Sequence, residues 1–136
     1  MKSYCLLFLT LIALPVMAAE LTVKPGLWES TTTRTSSMGG GAVTDTNREC
    51  VKDETFNPQK LMQDMQDCEL VKNELQNKNT LLFNMVCSMQ GAKASLEGKY
   101  YTKGDEGKGD MKVQVDMGGM NMNMNLTWDA KRLGDC

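Results

Sequence analysis

The stretch 110–128 constrains the fold more than any other, because apolar and polar residues alternate along both sides of a Gly-Gly pair. Alternation with a period of two is typical of a β-strand that buries one face. Gly118 and Gly119 suit a two-residue hairpin turn, in which the central residues take positive φ. The sequence therefore predicts a β-hairpin with one apolar and one polar face.

The turn also predicts the register of this hairpin. With Gly118-Gly119 as the loop, Met117 faces Met120 and Val115 faces Met122. A slip of one residue would send every side chain to the opposite face, so the alternation favours this pairing alone. The apolar face then consists of Met111, Val113, Val115, Met117, Met120, Met122, Met124 and Leu126. We expect these eight residues, with Trp28 and Trp128, to face a ligand or form the core.

The first residues have the features of a secretory signal peptide. Lys2 is positively charged, residues 5–14 are uncharged and mostly apolar, and residues 16–18 are small enough for signal peptidase. We predict cleavage after Ala18 or Ala19. The apolar run is shorter than the roughly 20 residues that span a bilayer, so no transmembrane segment is expected after cleavage.

The predicted mature chain, residues 19–136, is long enough for one domain and too short for two. Lys2 is the only charged residue in the predicted signal peptide 1–18, so 14 basic and 17 acidic residues remain, a net charge of −3. Nucleic acids and anionic membranes need a basic surface, so neither is expected as a partner. We predict a single disulfide-bonded β domain in the periplasm.

Four cysteines remain after cleavage, namely Cys50, Cys68, Cys87 and Cys136. An even number in an exported chain indicates two disulfides. The spacings are long and the chain has no His, which argues against a zinc site. With Asn77-Lys78 as a hairpin loop, Cys68 faces Cys87 at a distance that a disulfide can bridge. We therefore predict the pair Cys68–Cys87, which leaves Cys50–Cys136.

The same register places Lys72 and Glu74 on the side of Phe83 and Met85. Charged side chains do not belong on a buried face without partners. We expect a β-bulge in this strand, or a strand end that lies partly in solvent.

One short helix is expected near residues 57–67. Asn57 can cap it and Pro58 suits the first helical position. On such a helix Leu61, Met62 and Met65 fall on one side.

Further strands are predicted over residues 21–35, 42–50 and 94–103, which are rich in β-forming residues and separated by turn signals. The fold class expected is mainly β. We picture a curved antiparallel meander or half-open barrel of about seven strands, with the methionine face inward.

Enzyme classes find little support in the sequence. With no His the most common general base is missing, and the cysteines are assigned to disulfides. Phosphate-loop, dinucleotide and nucleophile-elbow motifs are also missing. We expect no catalytic residues and no cofactor, and we regard Trp28 as a core anchor ahead of a ligand-binding aromatic.

The methionines leave two interpretations. Met fills irregular cores and lines apolar pockets, and this interpretation is favoured because Val113, Val115 and Leu126 share the face. The alternative is a Cu(I) or Ag(I) site, because thioethers are soft ligands. Its ligands would be Met117, Met120, Met122 and Met124.

Short motifs at both ends of the predicted mature chain resemble a bacterial exported family, domain of unknown function 3617. The motifs are KPGLWE at residues 24–29 and an Arg-Leu-Gly-x-Cys ending at residues 132–136. Cys50-Val51 and the Cys68/Cys87 pair are also similar to the family pattern. The resemblance implies a small periplasmic domain of mostly β structure, and it implies no activity and no functional residues.

The sequence favours a non-catalytic periplasmic binding or scaffold domain with an apolar, methionine-rich inner face. Its expected partner is a small apolar ligand or an envelope protein. A Cu(I)/Ag(I)-binding protein is the alternative, and an enzyme ranks third.

Overall fold

The computed structural model describes residues 19–63, 65 and 67–136. The predicted signal peptide lies outside these residues. The elements of the described part are β1 (Leu21–Thr22), β2 (Gly26–Ser36), β3 (Val43–Val51), β4 (Thr55–Phe56), α1 (Pro58–Gln63), β5 (Cys68–Asn77), β6 (Thr80–Met89), β7 (Ala92–Lys103), β8 (Glu106–Asp116) and β9 (Asn121–Gly134).

Seven of these strands form one antiparallel sheet in the order β3-β2-β9-β8-β7-β6-β5, and β1 pairs with β4 in a small second sheet. Strands β5 to β9 form a meander, in which each strand pairs with the next. The large sheet is open, with β3 and β5 as its edges. The predicted mainly β class, with about seven antiparallel strands and one short helix, is confirmed. None of the described helical residues belongs to a helix long and apolar enough to cross a membrane.

The predicted central hairpin is formed by β8 and β9 in the predicted register. Val115 pairs with Met122, and Val113 pairs with Met124. The Met117 amide donates a hydrogen bond to the Met120 carbonyl at 2.9 Å, which closes the turn. The two-residue turn therefore selects the apolar face that the alternation predicts.

The β5–β6 hairpin matches its prediction at the cysteine end and departs from it toward the turn. Cys68 pairs with Cys87 as predicted, but the register shifts between Leu70 and Lys72. Lys72 therefore pairs with Asn84 and lies on the face opposite Phe83. The predicted side for Lys72 and Glu74 was wrong, and the bulge that was expected at this strand removes the charges from the apolar face.

A second register shift, between Leu75 and Asn77, moves the loop of this hairpin by one residue. Asn77 pairs with Thr80, so Lys78 and Asn79 form the turn and the predicted Asn77-Lys78 loop was wrong. The Asn77 side-chain oxygen accepts a hydrogen bond from the Asn79 amide at 2.9 Å. This local bond is the one by which Asn initiates turns.

Both disulfides in the structure are the pairs predicted from the sequence. Cys68–Cys87 joins directly opposed residues with Cα atoms 4.0 Å apart. Cys50–Cys136 joins the end of β3 to the residue two positions beyond β9, with Cα atoms 5.7 Å apart.

The helix α1 is shorter than the predicted range 57–67. Asn57 caps it by accepting a hydrogen bond from the Gln59 amide at 2.9 Å. The helix ends at Gln63, and Asp67, directly before β5, has a positive φ of 60°. The helix packs against β5, and Met62 is half-buried while Met65 is exposed. The predicted third residue of this face, Leu61, has a side chain outside the described ones.

The core lies between the small sheet and the apolar face of the large one. Its buried apolar residues are Leu21, Trp28, Leu81, Phe83, Met85, Cys87 and Ala94. Most of them come from β6, so the core is centred under one side of the large sheet. The β8–β9 hairpin lies next to this core and continues its apolar face.

Candidate functional site

An aromatic cluster spans the two sheets. Tyr100 on β7 contacts Phe56 on β4 with ring centroids 4.3 Å apart, and it contacts Trp128 on β9 at 4.5 Å. Phe83 on β6 stacks against Tyr100 at 5.7 Å. Because Tyr100 lies between these rings, burial raises the pKa of its hydroxyl above the usual value.

Two glycines make room for these rings on the sheet surface. A Cβ at Gly98 would overlap the Phe83 ring, and a Cβ at Gly109 would overlap the Trp128 ring. Each glycine is paired with the aromatic residue that covers it, on the neighbouring strand. The rings therefore lie flat across the sheet, which brings Trp128 and Phe83 to opposite sides of Tyr100.

A cavity of about 320 Å³ opens beside the aromatic cluster, between the small sheet and strands β3, β2, β9, β8 and β7 of the large sheet. Its walls are mostly apolar, and both tryptophans of the sequence belong to them. The lining residues are Leu21, Val23, Trp28, Ser30, Glu49, Val51, Asp53, Thr55, Phe56, Tyr100, Tyr101, Thr102, Gly107, Lys108, Trp128 and Ala130.

Trp28 is both a core residue and a wall of this cavity. Its side chain is buried, and its Nε1 donates a hydrogen bond to the Lys24 carbonyl at 2.8 Å. That bond satisfies the only polar group of the indole. The ring is thereby held at the floor of the cavity and presents its apolar surface.

Charged residues lie at the rim of the cavity. Glu49 and Asp53 are exposed lining residues, and Lys108 is exposed as well. Asp53 makes an ion pair with Lys60 of α1 at 3.7 Å. The charges at the rim are therefore mixed, while the interior of the cavity is aromatic and aliphatic.

The methionine face of β8 and β9 is an open continuation of this site. Six of its eight predicted residues are half-buried, and the two at the turn, Met117 and Met120, are exposed. The helix does not cover this face, because α1 packs on β5 at the edge of the sheet. The ten predicted site residues lie on one face of the sheet, with Trp28 and Trp128 at the cavity.

Phe56 and Tyr100 are site residues that were not predicted from the sequence. Phe56 reaches the site only because β4 pairs with β1 above the sheet, a contact that no local pattern indicates. A signal for Tyr100 was present, because it shares a face with Leu96 and has Gly98 between them. Glycine within a strand indicates that another group approaches closely.

The two terminal motifs meet in space at the end of the sheet. The Arg132 Nε donates a hydrogen bond to the Pro25 carbonyl at 2.8 Å. A Cβ at Gly26, which has a positive φ of 148°, would collide with the Arg132 side chain. Lys24 and Asp105 form an ion pair at 3.2 Å beside them. These contacts join the start of β2 to the end of β9, while Trp28 of the first motif lines the cavity.

Among the residues that the structure describes, no group of three or more His, Cys, Asp or Glu side chains is placed to hold a metal ion. The four cysteines of residues 19–136 are in disulfides. The remaining soft ligands of this region are the methionine thioethers.

The comparison with protein families gives one match, to the family described as "Protein of unknown function (DUF3617)", over residues 23–136. No match was found among curated proteins or among solved structures. The matched region includes both terminal motifs, all four disulfide cysteines and both tryptophans. The chain therefore belongs to the DUF3617 family of proteins of unknown function.

Proposed function

We propose that this protein is a non-catalytic, exported binding protein that holds a small apolar molecule between its two sheets. The observation that carries the proposal is the cavity of about 320 Å³ walled by Trp28, Phe56, Tyr100 and Trp128. Ligand pockets are concave, largely apolar and about 300–1,000 Å³ in volume. This cavity is at the lower end of that range, so the ligand is small.

The walls favour a neutral molecule with a flat or short apolar body. Aromatic side chains offer large rigid surfaces at a low entropic cost. The mixed charges of Glu49, Asp53 and Lys108 at the rim can bind a polar end of either sign. The affinity therefore comes mainly from the apolar part, at about 25 cal/mol per Å² of surface removed from water before the costs of association.

The absence of catalysis is part of the proposal. The sequence has no His, and the carboxylates of the described residues lie at exposed positions, apart from the half-buried Glu29. A general acid or base needs a tuned pKa, which depends on burial or on a close charge.

The export of the protein is proposed as well, with residues 1–18 as a cleaved signal peptide and the periplasm as the location. Two disulfides support this location, because disulfides persist in oxidising compartments. Lys2, followed by the uncharged and mostly apolar run of residues 5–14, supports a cleaved signal peptide.

The proposal is tested with the neutral dye N-phenyl-1-naphthylamine and the protein purified with its disulfides intact. Both tryptophans of the sequence line the cavity, so we expect saturable dye emission together with quenching of tryptophan fluorescence. Ala130→Leu adds three carbon atoms to the cavity wall and should abolish this signal. Native mass spectrometry of the same preparation gives the mass of any molecule that is purified with the protein.

The matched control is Ala92→Leu. Ala92 and Ala130 are both half-buried and lie on the same face, but Ala92 is at the far end of the sheet from the cavity. Dye binding should survive in this variant. The proposal fails if the wild-type protein shows no saturable binding, or if Ala130→Leu binds the dye as well as Ala92→Leu does.

A further inference from the structure

Exposed methionines gather at one end of the large sheet, away from the aromatic cavity. The β2–β3, β6–β7 and β8–β9 connections all lie at this end, because their strands alternate in direction. We name the methionine end after the five residues that the connections and the adjoining strand ends carry, which are Met38, Met89, Met117, Met120 and Met122.

Four of these five side chains are too exposed to serve as core. The exposed fraction is 65% for Met38, 61% for Met89, 57% for Met120 and 43% for Met117, and Met122 is half-buried. Scattered exposed apolar residues are ordinary on protein surfaces, but a contiguous group indicates a binding site. The methionines of this end that adjoin one another are therefore the candidate ligands.

The strand register places three methionines side by side. Met117 and Met120 oppose each other across the turn, where their backbones are hydrogen-bonded at 2.9 Å. Met122 is two residues beyond Met120 on the same face, about 6.6–6.8 Å along the strand. Three rotatable bonds in each side chain allow these three sulfurs to meet at one point.

Met89 lies in the same row of side chains across the strands as Met117, but two strands away from the turn. It pairs with Ala92, and the β7–β8 register continued by one residue from Lys93–Asp116 places Ala92 opposite Met117. Ala92 is small and leaves the space between Met89 and Met117 open. Met89 is therefore positioned to approach the same point from the other side.

We propose that Met117, Met120 and Met122 form a binding site for one Cu(I) ion, with Met89 as the nearest additional ligand. Thioethers are uncharged soft ligands, which select Cu(I) and its analogue Ag(I) over Zn²⁺, Mg²⁺ and Ca²⁺. Met124 is not part of the site, because it is one row further from the turn and pairs with Val113.

The turn holds its shape without help from the methionine side chains. The Asp116 carboxylate accepts a hydrogen bond from the Gly118 amide at 3.1 Å, and Gly118 and Gly119 have φ angles of 67° and 122°. Because the backbone is fixed in this way, the thioethers of Met117 and Met120 are free to turn toward an ion. The site is thus distinct from the aromatic cavity in both place and chemistry.

The experiment titrates the disulfide-intact protein with Ag(I) and, in competition with a chromogenic Cu(I) chelator, with Cu(I). Labelling the methionine methyl groups with ¹³C lets NMR follow each residue, because Ag(I) is diamagnetic. We expect a complex of one ion per chain and shifts at Met117, Met120 and Met122, with a smaller shift at Met89. Zn²⁺ should cause no shift.

The test variant is the triple substitution Met117→Leu, Met120→Leu and Met122→Leu, which preserves volume and apolarity while removing the sulfur atoms. It should lose the Ag(I) and Cu(I) complexes and keep its fold, as judged by circular dichroism, and its dye binding.

The matched control changes Met62, Met65 and Met111 to Leu and should bind both ions as the wild-type protein does. Unchanged ion affinity in the triple variant would overturn the proposal. So would an absence of ion binding in the wild-type protein, an equal loss in the control, or shifts centred on Met111 and Met124.

Discussion

Single atoms decide how the aromatic site is built. Gly98 and Gly109 are covered by the rings of Phe83 and Trp128, and neither position has room for a Cβ. Gly107, on the same strand as Gly109, does have room for a Cβ. A Cβ there would meet the Ala130 Cβ at 3.5 Å, which is an ordinary van der Waals contact.

This difference gives a matched pair of substitutions. Gly109→Ala should destabilise the protein by about 1–3 kcal/mol, because the added methyl forces Trp128 out of its place. Gly107→Ala should be close to neutral or slightly stabilising, because it fits and it reduces the freedom of the unfolded chain. Urea unfolding of both variants measures the effect, and equal stabilities would contradict the assignment of Gly109 as the floor under Trp128.

Tyr100 gives a prediction about pH. Burial raises its pKa in the folded protein, so its hydroxyl ionises more readily in the unfolded chain, with a pKa of about 10. The contribution of this hydroxyl to the free energy of unfolding is therefore present in full below about pH 10 and is lost as the pH rises above that value. Between about pH 8 and about pH 11, Tyr100→Phe should therefore lose less stability than the wild-type protein does.

The control for this prediction is Tyr101→Phe, which changes the neighbouring tyrosine on the opposite side of the strand. Unfolding by urea at each pH gives the free energies. A slope for Tyr100→Phe that equals the slope for Tyr101→Phe would show that Tyr100 is not the residue responsible.

At the scale of elements, the local patterns were predictable and the distant contacts were not. The β8–β9 register follows from the alternation of residues 111–117 and 120–126 around Gly-Gly, and both are local features of the sequence. The pairing of β9 with β2 joins segments about a hundred residues apart, and no local pattern of the sequence predicts it. The bulge at Val71 was expected from misplaced charges, but its position depends on how β5 meets β6.

The residues of the candidate site likewise fall into those that local patterns predict and those that distant contacts place. The methionine face and Trp128 are predictable because they belong to one hairpin. The cavity requires β4 to be placed over the sheet, and the position of β4 depends on its two-residue pairing with β1. Such short strands have little signal of their own, so Phe56 could not be assigned to the site from the sequence.

The two disulfides should differ in their contribution to stability. The chain-entropy model gives about 4.6 kcal/mol for the separation of 86 residues in Cys50–Cys136 and about 3.2 kcal/mol for the 19 residues in Cys68–Cys87. We therefore expect the variant with Cys50→Ala and Cys136→Ala to unfold at a lower urea concentration than the variant with Cys68→Ala and Cys87→Ala.

One competing effect works in the opposite direction. Cys87 is buried and Cys136 is exposed, so the second variant also leaves a small cavity. Replacing Cys68 and Cys87 by Val, which fills that space, separates packing from loop closure. If the Val variant is less stable than the variant that lacks Cys50–Cys136, loop length does not decide which disulfide contributes more to stability.

The described part of the molecule is built on one open sheet whose strands have unequal numbers of neighbours. Strands β7, β8 and β9 lie near the middle, while β3 and β5 are edges with one paired side. Every residue of β3 except Val51 is exposed, and β5 carries the bulge. Charged and bulged edges of this kind resist pairing with other chains.

Local stability should follow this arrangement. In hydrogen exchange we expect the amides of β7 and β8 to be the slowest, because their hydrogen bonds open only when the sheet unfolds. The amides of β3 should exchange fastest among the strands of the large sheet. Protection in β3 equal to that in β8 would mean that the edge is covered in solution.

The bridge from Cys50 to Cys136 imposes an order on biosynthesis. In a chain that enters an oxidising compartment from its N-terminus, Cys50 waits for a partner that follows 86 residues later. During that wait Cys68 and Cys87 appear, and either can react with it first. The native pairing is therefore reached efficiently only where an early, mistaken bridge can be exchanged, and we expect a thiol–disulfide isomerase to speed the oxidative folding of the reduced protein.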